Sequence, residues 1–309
     1  MRHIPVLLNE VIEGLQLQSG MHVIDCTLGD AGHSEKILEQ IGTTGKLLGI
    51  DADPEAILRA KQYLYKFDAQ VIFVRNNFIN LKTIVEENKF NPINGILMDF
   101  GWSTPQFEER GRGFSFEKTD ELLDMRYGSN FQFTIFNLQN PNVSDLINSL
   151  DGQELEKIFR EYGEEKLSKE IAKMIVEIRK EKNIKTVGDL VEIILKVYRT
   201  KLKTDKEIPW VGGLHPATKT FQALRIAVNN EFGVIEDVLP QAIEVLHRGG
   251  RLAVITFHSL EDRIVKHYFK SQENKTIKLI NKKPVVCTEE EYKNNPRARS
   301  AKLRVIEKL

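Results

Sequence analysis

Four aspartates stand where side chains could do chemistry. Asp25 closes the apolar run Val23-Ile24, Asp51 closes LLGID at 47–51, and Asp99 closes INGILMD at 93–99. Asp30 lies between them in a turn of small residues, Gly29-Asp30-Ala31-Gly32. The chain restarts at His33 and Ser34 with Ile37, Leu38 and Ile41 on one helical face. Strand, small-residue turn and helix together bring backbone N–H groups and a helix N-terminus against a nucleotide-like ligand. A carboxylate at the tip of the next strand, some twenty residues on, suits a ribose diol that donates two hydroxyls. The turn lacks the G-x-G-x-x-G spacing that lets a backbone approach pyrophosphate, and it holds two acids within reach and no Lys or Arg. A carboxylate there opposes pyrophosphate but suits a cationic sulfonium. The turn therefore favours S-adenosylmethionine over NAD or ATP. The competing reading is an ordinary α/β turn whose acids face water.

Further candidates lie at other strand ends. Phe78 and Asn77 follow the run QVIFVR, where an adenine ring would sit over a third strand. Asp99 in MDFGWSTPQ is placed either to contact the cofactor or to orient an aromatic NH₂, whose delocalised lone pair needs acceptors before it can attack a methyl group. Gln106 follows the same turn, and the 103–106 loop that begins at Ser103 could help to orient the amine. In RGRGF, Arg110 and Arg112 with Phe114 suit phosphate and splayed bases; the alternative is a hinge that tucks its aromatics into the domain junction. Asp124 and Arg126 form a potential internal ion pair. Arg297, Arg299, Lys302 and Arg304 make a basic run that could track RNA backbone or simply face water. Adjacent His258 and Ser259 make no triad, and no G-x-S-x-G elbow exists, which excludes a serine hydrolase. No metal-ligand spacing is present, so no metal is expected.

The elements that position these residues alternate. After a short helix within 4–17, strands are expected at 23–25, 47–51, 70–78 and 93–101, separated by helices that start near His33, at Pro54 and near 80. This is a parallel βαβ sheet, whose ligands lie over the carboxyl ends of its strands. From Trp102 to about Val211 only helical patterns follow, including Leu167, Ile171, Met174 and Ile178 in 164–182 and a capping box Thr186/Asp189. The polar stretch 200–214 reads as a linker. Helices at 215–232 and 233–247, a strand at 251–257, a helix capped by Ser259 and Asp262, and short strands near 276–280 and 302–307 return to the sheet. The expected organisation is a discontinuous α/β domain, 1–105 with 213–309, and an inserted all-helical domain, 106–212, that recognises RNA.

The length of 309 residues accommodates about two domains at roughly 100–200 residues each. With 44 basic and 44 acidic residues the net charge is zero, so nucleic-acid affinity must come from local patches. Cys26 and Cys287 make neither a disulfide framework nor a zinc site, in keeping with the reducing cytoplasm. The apolar run near the N-terminus is too short for a signal sequence or a membrane span.

Taken together, HIPVLLNEV, TLGDAGHS, GIDADP, ILMDFGWSTPQ, RGFSF, LDMR, EYGEEK, TKTFQALRIAVNNE, GGRLAVITFHSLEDRIVK and NPRARSAKLR closely resemble the bacterial 16S rRNA cytosine-N4 methyltransferase family, also called MraW or RsmH. The resemblance implies a class I S-adenosylmethionine-dependent methyltransferase fold, a Rossmann-like sheet with a helical insertion. It implies methylation of the exocyclic N4 of a cytidine in the decoding centre of the small ribosomal subunit. The family's cofactor contacts fall on Ala31, Gly32, His33, Asp51, Phe78, Asp99 and Gln106. Here Asp30 and Ala31 stand in a turn that is commonly a run of glycines, and Phe100-Gly101-Trp102-Ser103-Thr104 replaces L-G-V-S-S. A backbone contact survives alanine at position 31 if its φ stays negative. An NAD-dependent dehydrogenase is disfavoured by the glycine spacing and the acidic turn. A non-catalytic ribosome-assembly factor that keeps the fold is the remaining alternative.

Overall fold

Successive residues of each strand serve opposite cores, the consequence of a two-residue side-chain period in a sheet covered on both faces. Ile24, Leu48, Ile96 and Val254 enter one buried cluster, while their neighbours Val23, Leu47, Leu97 and Ala253 enter the other. The computed structural model describes residues 4–101, 111–127, 134–208 and 210–309, with backbone only at Thr134 and Ile135. The chain divides into two compact units, Met1–Ser103 with Phe232–Leu309, and Thr104–Glu231.

The first half of the discontinuous unit runs α1 (Leu8–Leu15), β1 (His22–Asp25), α2 (Gly32–Ile41), β2 (Lys46–Asp51), α3 (Pro54–Tyr63), β3 (Val71–Arg75), α4 (Leu81–Glu87) and β4 (Gly95–Asp99). The inserted unit then supplies a hairpin, β5 (Thr134–Ile135) and β6 (Leu138–Gln139), followed by α5 (Val143–Ser149), α6 (Gly152–Gly163), α7 (Ser168–Ile178), α8 (Val187–Leu202) and α9 (Thr218–Asn229). The α/β unit resumes within α10 (Glu231–Val245) and continues with β7 (Arg251–Thr256), α11 (Ser259–Gln272), β8 (Ile277–Leu279), α12 (Glu289–Asn294) and β9 (Lys302–Lys308).

The sheet has seven strands in the order β3-β2-β1-β4-β7-β9-β8. β3, β2, β1, β4 and β7 are mutually parallel, and β9 runs antiparallel to both β7 and β8. Strand order reverses beside β1, whose register sets Asp25 opposite Gly49 of β2 and Leu97 of β4. That reversal opens a crevice at the carboxyl edge, the usual ligand position in such sheets.

The inserted unit has its own core, with Phe159, Ile171, Leu190 and Leu224 fully enclosed. Capping boxes at Asn142/Asp145, Asp151/Glu154 and Thr186/Asp189 start three of its helices. Four features differ from expectation. The hairpin β5–β6 has strands of two residues each, too short to show alternation. The expected linker is partly helical, since α8 continues to Leu202 and Ile208 is buried in this core. The second division falls after Glu231 rather than after residue 212. Helix α9 packs tightly on α6, where a Cβ on Gly163 would lie 2.5 Å from the Lys219 carbonyl oxygen. Finally, α11 is capped by His258 and Glu261 instead of Ser259 and Asp262, with Glu261 Oε2 accepting from Phe257 N at 2.8 Å.

Candidate active site

Asp51 is held at the sheet edge by two backbone N–H groups. Its Oδ2 accepts from Gly29 N and its Oδ1 from Asp53 N, both at 2.8 Å. Each oxygen keeps further lone-pair capacity, which a vicinal diol can use. Burial lifts the Asp51 carboxyl to about 6, against the opposing pull of those two N–H groups. Asp53 is the N-cap of α3 and accepts from Glu55 N at 3.0 Å, so one short segment fixes both the helix and the carboxylate.

The turn after β1 is shaped by the same bonds. Asp25 is buried, accepting from Ser34 Oγ at 2.6 Å and from Thr27 N at 3.1 Å, and burial raises its carboxyl above the usual range. Ala31 adopts φ +57° and its N–H donates to the Leu28 carbonyl at 2.7 Å. The condition of a negative φ is thus not met, and the turn closes on itself through that N–H. Asp30 likewise differs from expectation: its Oδ1 accepts from Arg59 Nε at 2.8 Å, so α3 neutralises the charge that the sequence assigns to a sulfonium.

Asp99 and His33 meet across the crevice. Asp99 Oδ1 accepts from Gly101 N at 2.8 Å, and its backbone N–H donates to Thr27 Oγ1 at 2.9 Å. A Cβ on Gly101 would lie 2.6 Å from the Phe257 ring and 2.8 Å from Asp99 Oδ1, so any larger residue must displace one or both. His33 Nε2 lies 2.9 Å from the Val6 carbonyl and its Nδ1 3.8 Å from Asp99 Oδ2. A carbonyl can only accept, so in the neutral ring the proton sits on Nε2 and the Nδ1 lone pair faces Asp99. The strap bearing Val6 also packs Pro5 on Gly32, where a Cβ would lie 3.0 Å from Pro5 Cγ. Glu291 and Asn295 anchor that strap through Leu7 N at 2.7 Å and the Ile4 carbonyl at 3.2 Å.

Phe78 follows Asn77, whose side chain caps Ile79 N at 3.0 Å, and it stacks on Phe100 with centroids 5.9 Å apart. Gly32, His33, Asp51, Phe78 and Asp99 therefore all belong to the carboxyl edge of one sheet. Gln106, Ser103 and Arg110 lie outside the described residues, as does Trp102. Arg112 and Phe114 have internal partners in the inserted unit. Arg112 Nη1 donates to the Arg126 carbonyl at 2.9 Å, and Phe114 stacks on Tyr127 with centroids 6.0 Å apart. The Asp124–Arg126 pair is present at 2.7 Å and 3.0 Å; burial would raise the Asp124 carboxyl, but Arg126 holds it below its usual range. In the basic run, Arg297 and Arg299 are exposed, whereas Arg304 is buried against Asp262 at 2.7 Å and 3.1 Å.

Sequence reading missed Thr27, Ser34, Val6 and Arg59. The first two sit within the motif itself, where their hydroxyls are visible but their targets are not. Arg59 is 29 residues from its partner, a spacing no local pattern reveals.

The donor set fits S-adenosylmethionine: a diol-accepting carboxylate at Asp51, an aromatic ring at Phe78, and carboxylates at Asp25 and Asp99 for a cationic ligand. A mixed seven-stranded sheet with flanking helices and this carboxylate-lined edge is the arrangement of a class I S-adenosylmethionine-dependent methyltransferase. The model of the MraW methylase family matches residues 1–309, and the chain belongs to that family. It is 41% identical over 323 residues to Ribosomal RNA small subunit methyltransferase H of Clostridioides difficile (strain 630), covering 99% of both chains. It is 44% identical over 306 residues to the protein of the same name from Dictyoglomus thermophilum, covering 99% of this chain and 96% of that one. Among solved structures, an rRNA methylase from Streptococcus thermophilus is similar with a TM-score of 0.43 and 11% identity, over 98% of this chain and 92% of that one.

Proposed function

We propose that the protein methylates the exocyclic N4 of a cytidine in 16S rRNA, in the decoding centre of the small ribosomal subunit, and that it works in the cytoplasm. The observation that carries the chemistry is the Asp99 carboxylate at the tip of β4, held by Gly101 N–H and backed by the His33 ring 3.8 Å away. The names of the relatives support RNA of the small subunit as the substrate class. Among the described residues no helix is long and apolar enough to cross a membrane.

When bound, S-adenosylmethionine supplies an electrophilic methyl group on a sulfonium whose sulfur leaves as a neutral thioether. The turn at Ala31–His33, Asp51, Phe78, Asp99 and Gln106 would hold it. Asp99 accepts an N–H from the cytosine amine, which turns the nitrogen lone pair out of conjugation and toward the methyl group. Alkylation makes the remaining N–H acidic, and Asp99 takes that proton. The base must leave its stack to reach this position, at a cost of a few kcal/mol. Phosphate contacts from Arg297 and Arg299 would help to offset that cost, with Arg110 and Ser103 as further candidates for RNA contact. The inserted unit adds RNA surface.

The test is transfer of labelled methyl to small subunits from cells lacking the protein, followed by nuclease digestion. N4-methylcytidine at one position, lost with Asp99→Ala, is the expected result. Label on another base overturns the cytosine assignment. Absence of label, with S-adenosylmethionine still bound, supports the assembly-factor alternative.

A further inference from the structure

Two separate connections join the first turn of the cradle to α3. At one end, the Asp51 carboxylate gathers Gly29 N from the turn and Asp53 N from the start of α3, each at 2.8 Å. At the other, Arg59 Nε, about one and a half helical turns along α3, returns to Asp30 Oδ1 at 2.8 Å. The bonds close a ring: Asp51, Asp53, α3, Arg59, Asp30, Gly29 and back to Asp51. The Asp30 side chain is 6% exposed and that of Arg59 23%, so the pair is shielded from water far better than an ordinary surface ion pair. The turn it closes on is one that does not hold itself without cost. Ala31 sits at φ +57°, a region that disfavours any residue with a Cβ, and it follows Gly29 at φ +50°.

We propose that Arg59 is a positioning residue for cofactor binding: through Asp30 it locks the Gly29–Gly32 turn so that Gly29 N–H and Asp51 keep the geometry the ribose needs. The proposal rests on the reading of Asp51 as the ribose contact. Arg59 acts on the cofactor only through Asp30. Where a turn of glycines would rely on backbone freedom, this chain fixes an alanine-containing turn with a side-chain clamp. A loosened turn must be reordered each time the cofactor binds, so the loss falls on affinity and leaves the saturated rate intact.

The experiment is calorimetric titration of S-adenosylhomocysteine into the full-length protein and its Arg59→Met, Asp30→Asn, Arg59→Lys and doubly substituted Arg59→Met/Asp30→Asn forms. Melting temperatures and saturated methyl-transfer rates are measured alongside. Expected are a loss of affinity of about tenfold in Arg59→Met and in Asp30→Asn, no further loss in the double variant, and partial recovery in Arg59→Lys. The saturated rate should stay within about twofold, with the change confined to the KM for S-adenosylmethionine. Affinity unchanged in both single variants, with or without a lower melting temperature, overturns the proposal and leaves the pair a stabilising contact only. Additive losses in the double variant also overturn it, because residues of one clamp must couple. Should Arg59→Met not fold, the near-isosteric Asp30→Asn decides alone. Failure of the unaltered protein to bind S-adenosylhomocysteine overturns the site reading itself, an outcome distinct from the others.

Discussion

With Asp51 as the proposed ribose contact, its carboxyl, lifted by burial to about 6, makes cofactor binding titratable. The ionised carboxylate is the stronger acceptor for a ribose diol, so affinity for S-adenosylhomocysteine should decline as pH falls through about 6. Asp51→Asn should bind more weakly and show no such slope; calorimetry across that range checks both. The ligand-free protein responds in the opposite sense. The folded state holds the Asp51 proton more tightly than the unfolded chain, so this group adds stability as pH falls through about 6 toward its ordinary value of 3.8. Gly101 offers a sharper steric test. Gly101→Ala places a methyl 2.6 Å from the Phe257 ring and 2.8 Å from Asp99 Oδ1, so the carboxylate must move. A displacement of that order should lower the saturated methyl-transfer rate about 100-fold. At this scale the sequence identifies which acids sit at strand tips, but not where they point. Asp30 shows the limit: its position beside the cofactor turn was legible, and its engagement by Arg59 was not.

At the scale of elements, local rules carry far. Pro54 at the first turn of α3, the Thr186/Asp189 box of α8 and the apolar runs of the strands are all chain-local, and each is found where its pattern lies. The start of α11 departs because His258 and Glu261 satisfy the box geometry one residue ahead of the Ser259/Asp262 pattern. That leaves Asp262 to meet Arg304 of β9 at 2.7 Å and 3.1 Å, both side chains largely enclosed. Burial alone would raise the Asp262 carboxyl, yet the Arg304 bonds hold it below the usual range. Its stabilising contribution is therefore complete above the ordinary carboxylate pKa and is lost as pH falls through the lower folded value. Arg304→Met should cost about 2 kcal/mol in urea unfolding at neutral pH, because it leaves the buried Asp262 carboxylate with only the more exposed Lys302 at 3.5 Å, and the cost should shrink in acid. An RNA-tracking arginine would instead leave stability unchanged.

For the whole molecule, each unit carries its own core, and of the expected cofactor residues those that are described all lie in the discontinuous unit. Phe159→Ala in the helical core should lower stability by about 4 kcal/mol, while the folded fraction keeps its affinity for S-adenosylhomocysteine; thermal melts with and without ligand separate the two effects. The sequence by itself determined the βαβ alternation, the carboxylates at the strand tips and the helical character of the insertion, because periodicity, caps and apolar runs act over a few residues. Only the tertiary structure decided the antiparallel placement of β9 beside β7, the pairing of Arg59 with Asp30 and of His33 with Val6, the left-handed Ala31, and the membership of α9 in the inserted unit. Those features join residues that are distant in the chain or depend on space left by neighbouring side chains, and no local pattern records either.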